Sequence, residues 1–388
     1  MPFAIYILGS AVFAQGTSEF MLSGLVPDIA RELDVSVSAA GALTSAFAVG
    51  MIVGAPLMAV LSLRWPRRRA LLVFLVAFVL VHVVGAVTTD FAALVATRVL
   101  GALANAGFLA VGLAAATGMA APNAKGRATS VLLGGITLAC VAGVPGGAVL
   151  GQALGWRAAF WAVALISLPA VFAVLRSVPD TAGDPREARP GVRRELRALR
   201  GPRLPVVLLL GALVNGATFC TFTYLALLVV DVGGLSEGRV PLMLALFGLG
   251  SFAGVSIAGR LSDTRPMRVL LFGGIALLAG WVLFAVAAGS PVATVLLVFV
   301  QGALSFAVGS TLIAQALYAA ADAPSLGGSF ATAAFNVGAA AGPALGGLAI
   351  AAGLGYRSPL WISAALVATA FVTAGLARTA LRVRERPA

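Results

Sequence analysis

Two charged residues, Glu19 and Arg98, stand in stretches where almost every neighbour is apolar. A charge in such surroundings costs about 3 kcal/mol or more unless it is paired or wetted, so it marks a functional position by default. One acid and one base can pair, and the acid can carry a proton. The same stretches hold the amides Gln15, Asn105, Asn215, Gln301, Gln315 and Asn336. Each can hydrogen-bond a ligand or tie two helices together, the tie being the commoner use. Phe20, Phe219, Phe222 and Tyr224 add aromatic surface that can be ligand wall or core. His82 is the only histidine and reads as a packing residue, which leaves no histidine-based metal cluster. Cys140 and Cys220 both lie in apolar segments and read as small packing residues.

The elements that must position these groups follow from composition. Of 388 residues 60% are hydrophobic and 10% charged, whereas a soluble domain is roughly 25% charged. Apolar runs of membrane-crossing length recur along nearly the whole chain. Breaks at charge, Pro and Gly separate twelve expected spans, near 4–26, 39–63, 70–88, 91–117, 129–152, 158–177, 204–231, 239–260, 268–289, 292–319, 328–353 and 358–380. The first run carries Gln15 and Glu19 with no basic residue before it, so it reads as a transmembrane helix rather than a removable signal. One long polar segment, 178–203, divides a six-helix bundle at 1–177 from a second at 204–388 that ends in a short tail. Arg193, Arg194, Arg197 and Arg200 give that linker the look of a tether held at an anionic lipid surface.

The net charge of +12 does not point to nucleic acid, because the basic residues sit in short loops rather than on one soluble face. With both termini cytoplasmic, 21 basic residues fall on that side and four (Arg31, Arg157, Arg239, Arg357) on the other. That bias predicts an N-in, C-in topology.

The chain also repeats itself. At an offset of 200, Gln15-Gly16 matches Asn215-Gly216, Leu61-Ser62 matches Leu261-Ser262, and Gly155-Trp156-Arg157 matches Gly355-Tyr356-Arg357. At 201, Gly101-Ala102-Leu103 matches Gly302-Ala303-Leu304. An even number of helices per copy gives parallel repeats about an axis along the membrane normal, with a ligand site expected near the midplane between them. In that topology Glu19 lies seven residues below the outer end of helix 1 and Arg98 seven residues into helix 4. Both are then roughly 10 Å deep, where they could pair. Their repeat partners Phe219 and Val298 are uncharged, which assigns proton coupling to the N-terminal half.

These motifs resemble the major facilitator superfamily, specifically its twelve-helix drug–proton antiporters, over the whole chain. Gly259-Arg260-Leu261-Ser262-Asp263 is similar to that family's Gly-x-Leu-Ala/Ser-Asp loop, and Gly342-Pro343 with Gly346-Gly347 to its Gly-Pro antiporter motif. Gly143-Val144-Pro145-Gly146-Gly147 is a variant of the latter, and Arg98 with Gly101 resembles the intramembrane arginine motif. The resemblance implies that Gly143, Pro145, Gly147, Gly259, Asp263, Gly342 and Pro343 serve conformational change. The N-terminal copy of the loop departs from the pattern, with Leu63 where an aspartate is expected and Pro66 where a glycine is, so that Asp263 would latch alone. Gly16-Thr17-Ser18-Glu19-Phe20 is similar to sugar, nucleoside and amphenicol exporters. The run 218–225 and Gly328-Ser329-Phe330-Ala331-Thr332 look most like the chloramphenicol resistance exporters of Streptomyces.

The resemblance therefore implies a plasma-membrane exporter of a small neutral aromatic drug, chloramphenicol first, driven by protons through Glu19 and Arg98. Burial and the guanidinium act on the carboxyl in opposite senses, which poises it to exchange protons as access alternates. The plain alternative is a static ion pair that only fixes helix packing. Gln15, Phe20, Asn105, Asn215, Phe219, Phe222, Tyr224 and Gln301 are the expected ligand contacts. Lys125 is followed by Gly126 but lacks a phosphate-binding loop, so no nucleotide, metal or other cofactor is expected beyond the proton. No nucleophile–base pair points to an enzyme. The expected partners are a small drug and membrane lipid, with the chain acting as a monomer. A proton-coupled sugar or nucleoside exporter is the neighbouring alternative, and a non-transporting membrane receptor or structural protein the one from another class.

Overall fold

A computed structural model describes residues 3–61, 65–119, 125–178, 199, 201, 203–261, 265–320 and 327–384. The linker and Asp263 of the sequence reading therefore fall largely or wholly outside the described residues. Within them the chain is all-helical, as its unbroken apolar runs require: in lipid a backbone must satisfy its own hydrogen bonds.

The helices are α1 (Phe3–Phe20), α2 (Val26–Glu32), α3 (Val37–Leu61), α4 (Arg67–Val87), α5 (Phe91–Met119), α6 (Lys125–Leu138), α7 (Val144–Leu154) and α8 (Trp156–Ser177), then α9 (Arg203–Thr223), α10 (Val240–Leu261), α11 (Gly274–Ala287), α12 (Pro291–Ala319), α13 (Gly327–Ala351) and α14 (Ser358–Arg384). Eleven rods among the described residues are long and apolar enough to cross a membrane. α1 is not in that set, because Gln15, Thr17, Ser18 and Glu19 crowd its end. The first rod also differs from its expected limits of 4–26: it breaks at Phe20 into a 3-10 turn, Met21–Gly24, and resumes as α2. Between α6 and α7 a π-helical turn, Ala139–Gly143, interrupts the rod just before Pro145, whose ring removes one backbone donor.

Large apolar side chains such as Leu80, Phe172, Val286 and Leu348 are exposed around the outside, where lipid would cover them. The buried interior forms separate clusters. One gathers Ile5, Leu8, Phe74 and Phe108. A second gathers Met21, Leu25, Phe78 and Trp156, and a third runs through α9 to α12 and α14.

The internal repeat is visible atom by atom. A Cβ on Gly50 would fall 2.7 Å from the Val99 carbonyl oxygen, and one on Gly54 3.2 Å from Leu103 Cα, so α3 and α5 approach backbone to backbone. Their equivalents do the same between α10 and α12, where Gly250 faces the Phe299 carbonyl oxygen at 2.2 Å and Gly254 that of Ala303 at 2.0 Å. Gly155 and Gly355 both take a positive φ, 84° and 75°. The arginine that follows each reaches the same loop of its copy: Arg157 donates to the Thr88 carbonyl at 2.9 Å and pairs with Glu32, and Arg357 lies against Gly289.

The two sets of six rods meet chiefly along α3–α13 and α7–α10. Ser45 Oγ donates to the Ala340 carbonyl at 2.7 Å, and Gln152 Nε2 to that of Glu237 at 2.7 Å. Gly254→Ala should lower the melting temperature in detergent by several degrees, an overpacking cost of about 1–3 kcal/mol. Gly259→Ala, where an added Cβ meets nothing within 4 Å, should leave it unchanged, and equal melting of the two variants would contradict the close approach.

Candidate functional site

Arg98, seven residues into α5, is 1% exposed, so its charge must find partners inside the bundle. It finds them on α1. Nη1 donates to Ser18 Oγ at 2.9 Å and Nη2 to the Ser18 carbonyl at 2.8 Å. The guanidinium also stacks over the Phe47 ring of α3, with Cζ 4.5 Å from its centroid, a cation–π contact that needs no further donor. Nε alone lacks a partner.

Ser18 hands the network on to α4. Its Oγ lies 2.6 Å from His82 Nε2, and His82 Nδ1 lies 2.7 Å from the Phe78 carbonyl. A carbonyl only accepts, so in the neutral ring Nδ1 carries the hydrogen and Nε2 accepts from the serine hydroxyl. The result is a one-way chain of donors from Arg98 through Ser18 to His82 and Phe78. His82 packs against the Phe78 and Phe160 rings.

Glu19 is the next residue along α1, and the structure departs here from the expected pairing. No ion pair within 4 Å joins it to Arg98 among the described residues; the guanidinium is already committed to Ser18. The two charges still feel each other electrostatically. The Glu19 side chain is half-buried, whereas Ser18 is wholly buried, so the carboxylate is the more accessible of the two.

The expected ligand residues separate into three groups. Phe20 and Phe219 meet across the two sets of rods with centroids 5.6 Å apart, and Phe219 continues edge-on to Phe222 at 6.1 Å. Phe222 stacks on Phe247 at 4.5 Å, and Phe247 meets Phe306 edge-on at 6.2 Å, two rings that the sequence did not single out. Gln15, Asn105 and Gln301 form the second group, each 1% exposed with an amide atom lacking a partner. Asn105 gives Nδ2 to Met51 Sδ at 3.7 Å, and Gln301 gives Nε2 to the Leu277 carbonyl at 3.2 Å.

The third group is structural. Asn215 ties α9 to α13 through the Phe335 carbonyl at 2.7 Å. Tyr224, read as ligand wall, instead donates its hydroxyl to the Pro343 carbonyl at 2.8 Å and is 1% exposed. It fits there because Gly41 and Gly347 leave room: a Cβ on either would fall within 2.5 Å of its oxygen.

The chain matches the Major Facilitator Superfamily profile over residues 8–328 and 234–388. The chain belongs to the major facilitator superfamily. It is 57% identical over 382 residues to a chloramphenicol resistance protein of Streptomyces lividans, covering 98% of this chain and 97% of that one. It is 33% identical to a chloramphenicol efflux pump of Mycobacterium tuberculosis (strain CDC 1551 / Oshkosh), covering 88% and 84%. Among solved structures it superposes on a bacterial homolog of the human lysosomal transporter Spinster in an inward-facing, unoccupied conformation. The TM-score is 0.71 at 17% identity, over 99% of this chain and 98% of that one, a likeness of fold.

The motif residues of this superfamily member occupy unequal positions. Gly143 ends the π turn where a Cβ would fall 2.0 Å from Thr17 Oγ1, and Gly147 meets Met21 at an ordinary 3.4 Å. A Cβ on Gly342 would run into the Gly216 carbonyl oxygen, and the Pro343 carbonyl accepts from the Tyr224 hydroxyl. Gly259 has no close neighbour, so packing does not require a glycine there.

Ser18 is the group that sequence reasoning passed over, a small hydroxyl that nothing in its type marks out. Ser18→Ala strips a hydrogen bond from both Arg98 and His82, and unfolding in detergent should become easier by about 2 kcal/mol. Ser18→Thr should recover most of that loss. A wild-type melting curve for Ser18→Ala would contradict the network.

Proposed function

We propose that this transporter expels a small neutral aromatic drug, chloramphenicol foremost, in exchange for protons by alternating access. Counting α1 as a span gives twelve crossings in two parallel six-helix units joined by the 178–203 segment, N-in and C-in, in the cytoplasmic membrane as a monomer among lipids. The observation that carries the reading is the division of labour on α1. Ser18 holds Arg98, so Glu19 keeps a carboxylate with no fixed ion partner, free to take up and release a proton.

In this reading Arg98, held by Ser18, does not neutralise the carboxylate by contact. A drug entering beside Phe20 and Phe219 would release the proton, and its departure would let another bind, since coupling between two ligands is reciprocal. The printed names of the Streptomyces lividans and Mycobacterium tuberculosis relatives supply the drug. The paired α3–α13 and α7–α10 contacts, with Tyr224 wedged at Pro343, would close the outer side in the state described.

The test is accumulation of labelled chloramphenicol in cells carrying the wild type, Glu19→Gln or empty vector, with and without a protonophore. The wild type should hold accumulation several-fold below the vector and lose that difference with the protonophore. Glu19→Gln should match the vector throughout. Wild-type accumulation equal to the vector, with expression verified, would overturn the amphenicol reading; uphill export by Glu19→Gln at the wild-type rate would overturn the proton carrier.

A further inference from the structure

Tyr224 belongs to the second set of rods but seats its ring against the first. α9 ends at Thr223, and the chain tightens there: the Tyr224 N–H bonds to the Thr221 carbonyl at 3.1 Å, three residues back instead of four. The ring lies on Gly41 of α3, where an added Cβ would fall 2.6 Å from Tyr224 Cζ. Only a glycine leaves that notch open. The hydroxyl is held at 2.8 Å by the Pro343 carbonyl of α13, a helix of its own set. One side chain is thus anchored in one half and packed into the other.

The repeat carries the same joint with the roles exchanged. Gly24 stands 200 residues before Tyr224, and here the glycine is in the first set and the large side chain in the second. A Cβ on Gly24 would fall 2.9 Å from Leu244 Cδ1 of α10 and 2.8 Å from Ala148 Cβ of α7. Leu244 is fully buried. Each junction between the two sets, α3–α13 and α7–α10, therefore has one large side chain seated on one glycine. They differ in one respect: Leu244 only packs, whereas the Tyr224 hydroxyl bond fixes where its ring stands.

From this pair of joints we infer that Tyr224 is the latch of the closed outer side, and that opening outward requires Gly41 to leave the ring. Pro343 travels with Tyr224, so the hydroxyl bond survives the opening and presents the ring in the same place when the halves meet again. That preorganisation is what a polar tip adds to a packing contact. Ser45, four residues further along α3 than Gly41, donates across the same junction to the Ala340 carbonyl at 2.7 Å. It lies roughly 6 Å deeper than the latch and becomes reachable from outside only when the junction parts.

The inference rests on the alternating-access reading and deepens it by assigning a residue to one gate. Its test needs no drug, so failure of the amphenicol reading leaves the outcome legible. Full-length protein carrying Ser45→Cys, with Cys140 and Cys220 replaced by alanine, is labelled in intact cells by a membrane-impermeant maleimide. Each variant is first shown to run monodisperse in detergent. Gly41→Ala should raise the labelling rate about tenfold, since the methyl group overpacks the closed junction. Tyr224→Phe, which keeps the ring and loses its anchor, should raise it about threefold. In a Tyr224→Ala background the added Gly41→Ala should change nothing, because the clash needs both partners. Labelling of Gly41→Ala or Tyr224→Phe at the unmodified rate would overturn the latch, as would an equal effect of Gly41→Ala with and without the tyrosine. If the same differences appear only in permeabilised cells, the latch stands and the N-in orientation falls.

Discussion

The guanidinium of Arg98 is the constraint on which the polar core depends. It sits wholly buried in an apolar bundle, where an unsatisfied charge would cost about 3 kcal/mol or more. Its solution fixes four helices at once: the Ser18 hydroxyl and carbonyl on α1, the Phe47 ring on α3, its own α5, and through Ser18 the His82 ring on α4. The 3-10 break after Phe20 follows two residues beyond this clamp. Because the clamp uses Ser18, the neighbouring carboxylate is spared.

The second repeat keeps the scaffold without the charge. Glycine pairs at 50/54 and 250/254 seat α3 on α5 and α10 on α12 in the same way. Gly155 and Gly355 turn the chain alike, and each following arginine reaches the equivalent loop. What differs is the filling. Where the first copy holds a connected donor chain, the second has aromatic rings.

Most of the scaffold was legible in the sequence, because apolar run length and the 200-residue offset both survive directly into helices and helix contacts. The site was legible in height and not in direction. Seven residues of depth placed Glu19 and Arg98 level, yet Ser18 and Glu19 point about 100° apart around one helix axis, and depth cannot tell which of them faces α5. The same limit hid the stacking of Phe247 on Phe222: a helix that is apolar all round gives no periodic signal for which face meets a neighbour. Tyr224 shows a packing role that residue type alone did not reveal. Its aromatic ring and position suggested a ligand wall, but Gly41 and Gly347 make a slot in which its hydroxyl braces Pro343. The assignment of Gly143 and Pro145 to conformational change gave no sign of the π turn before Pro145.

Proton release on drug binding tests the central claim most directly. Purified protein in weakly buffered detergent solution at neutral pH would be mixed with chloramphenicol and followed with a pH indicator. If Glu19 carries the coupled proton, the wild type should release protons as drug binds, up to one for each drug bound, and Glu19→Gln should bind drug and release none. Equal release from the two proteins, or drug binding by the wild type with no release, would contradict the account.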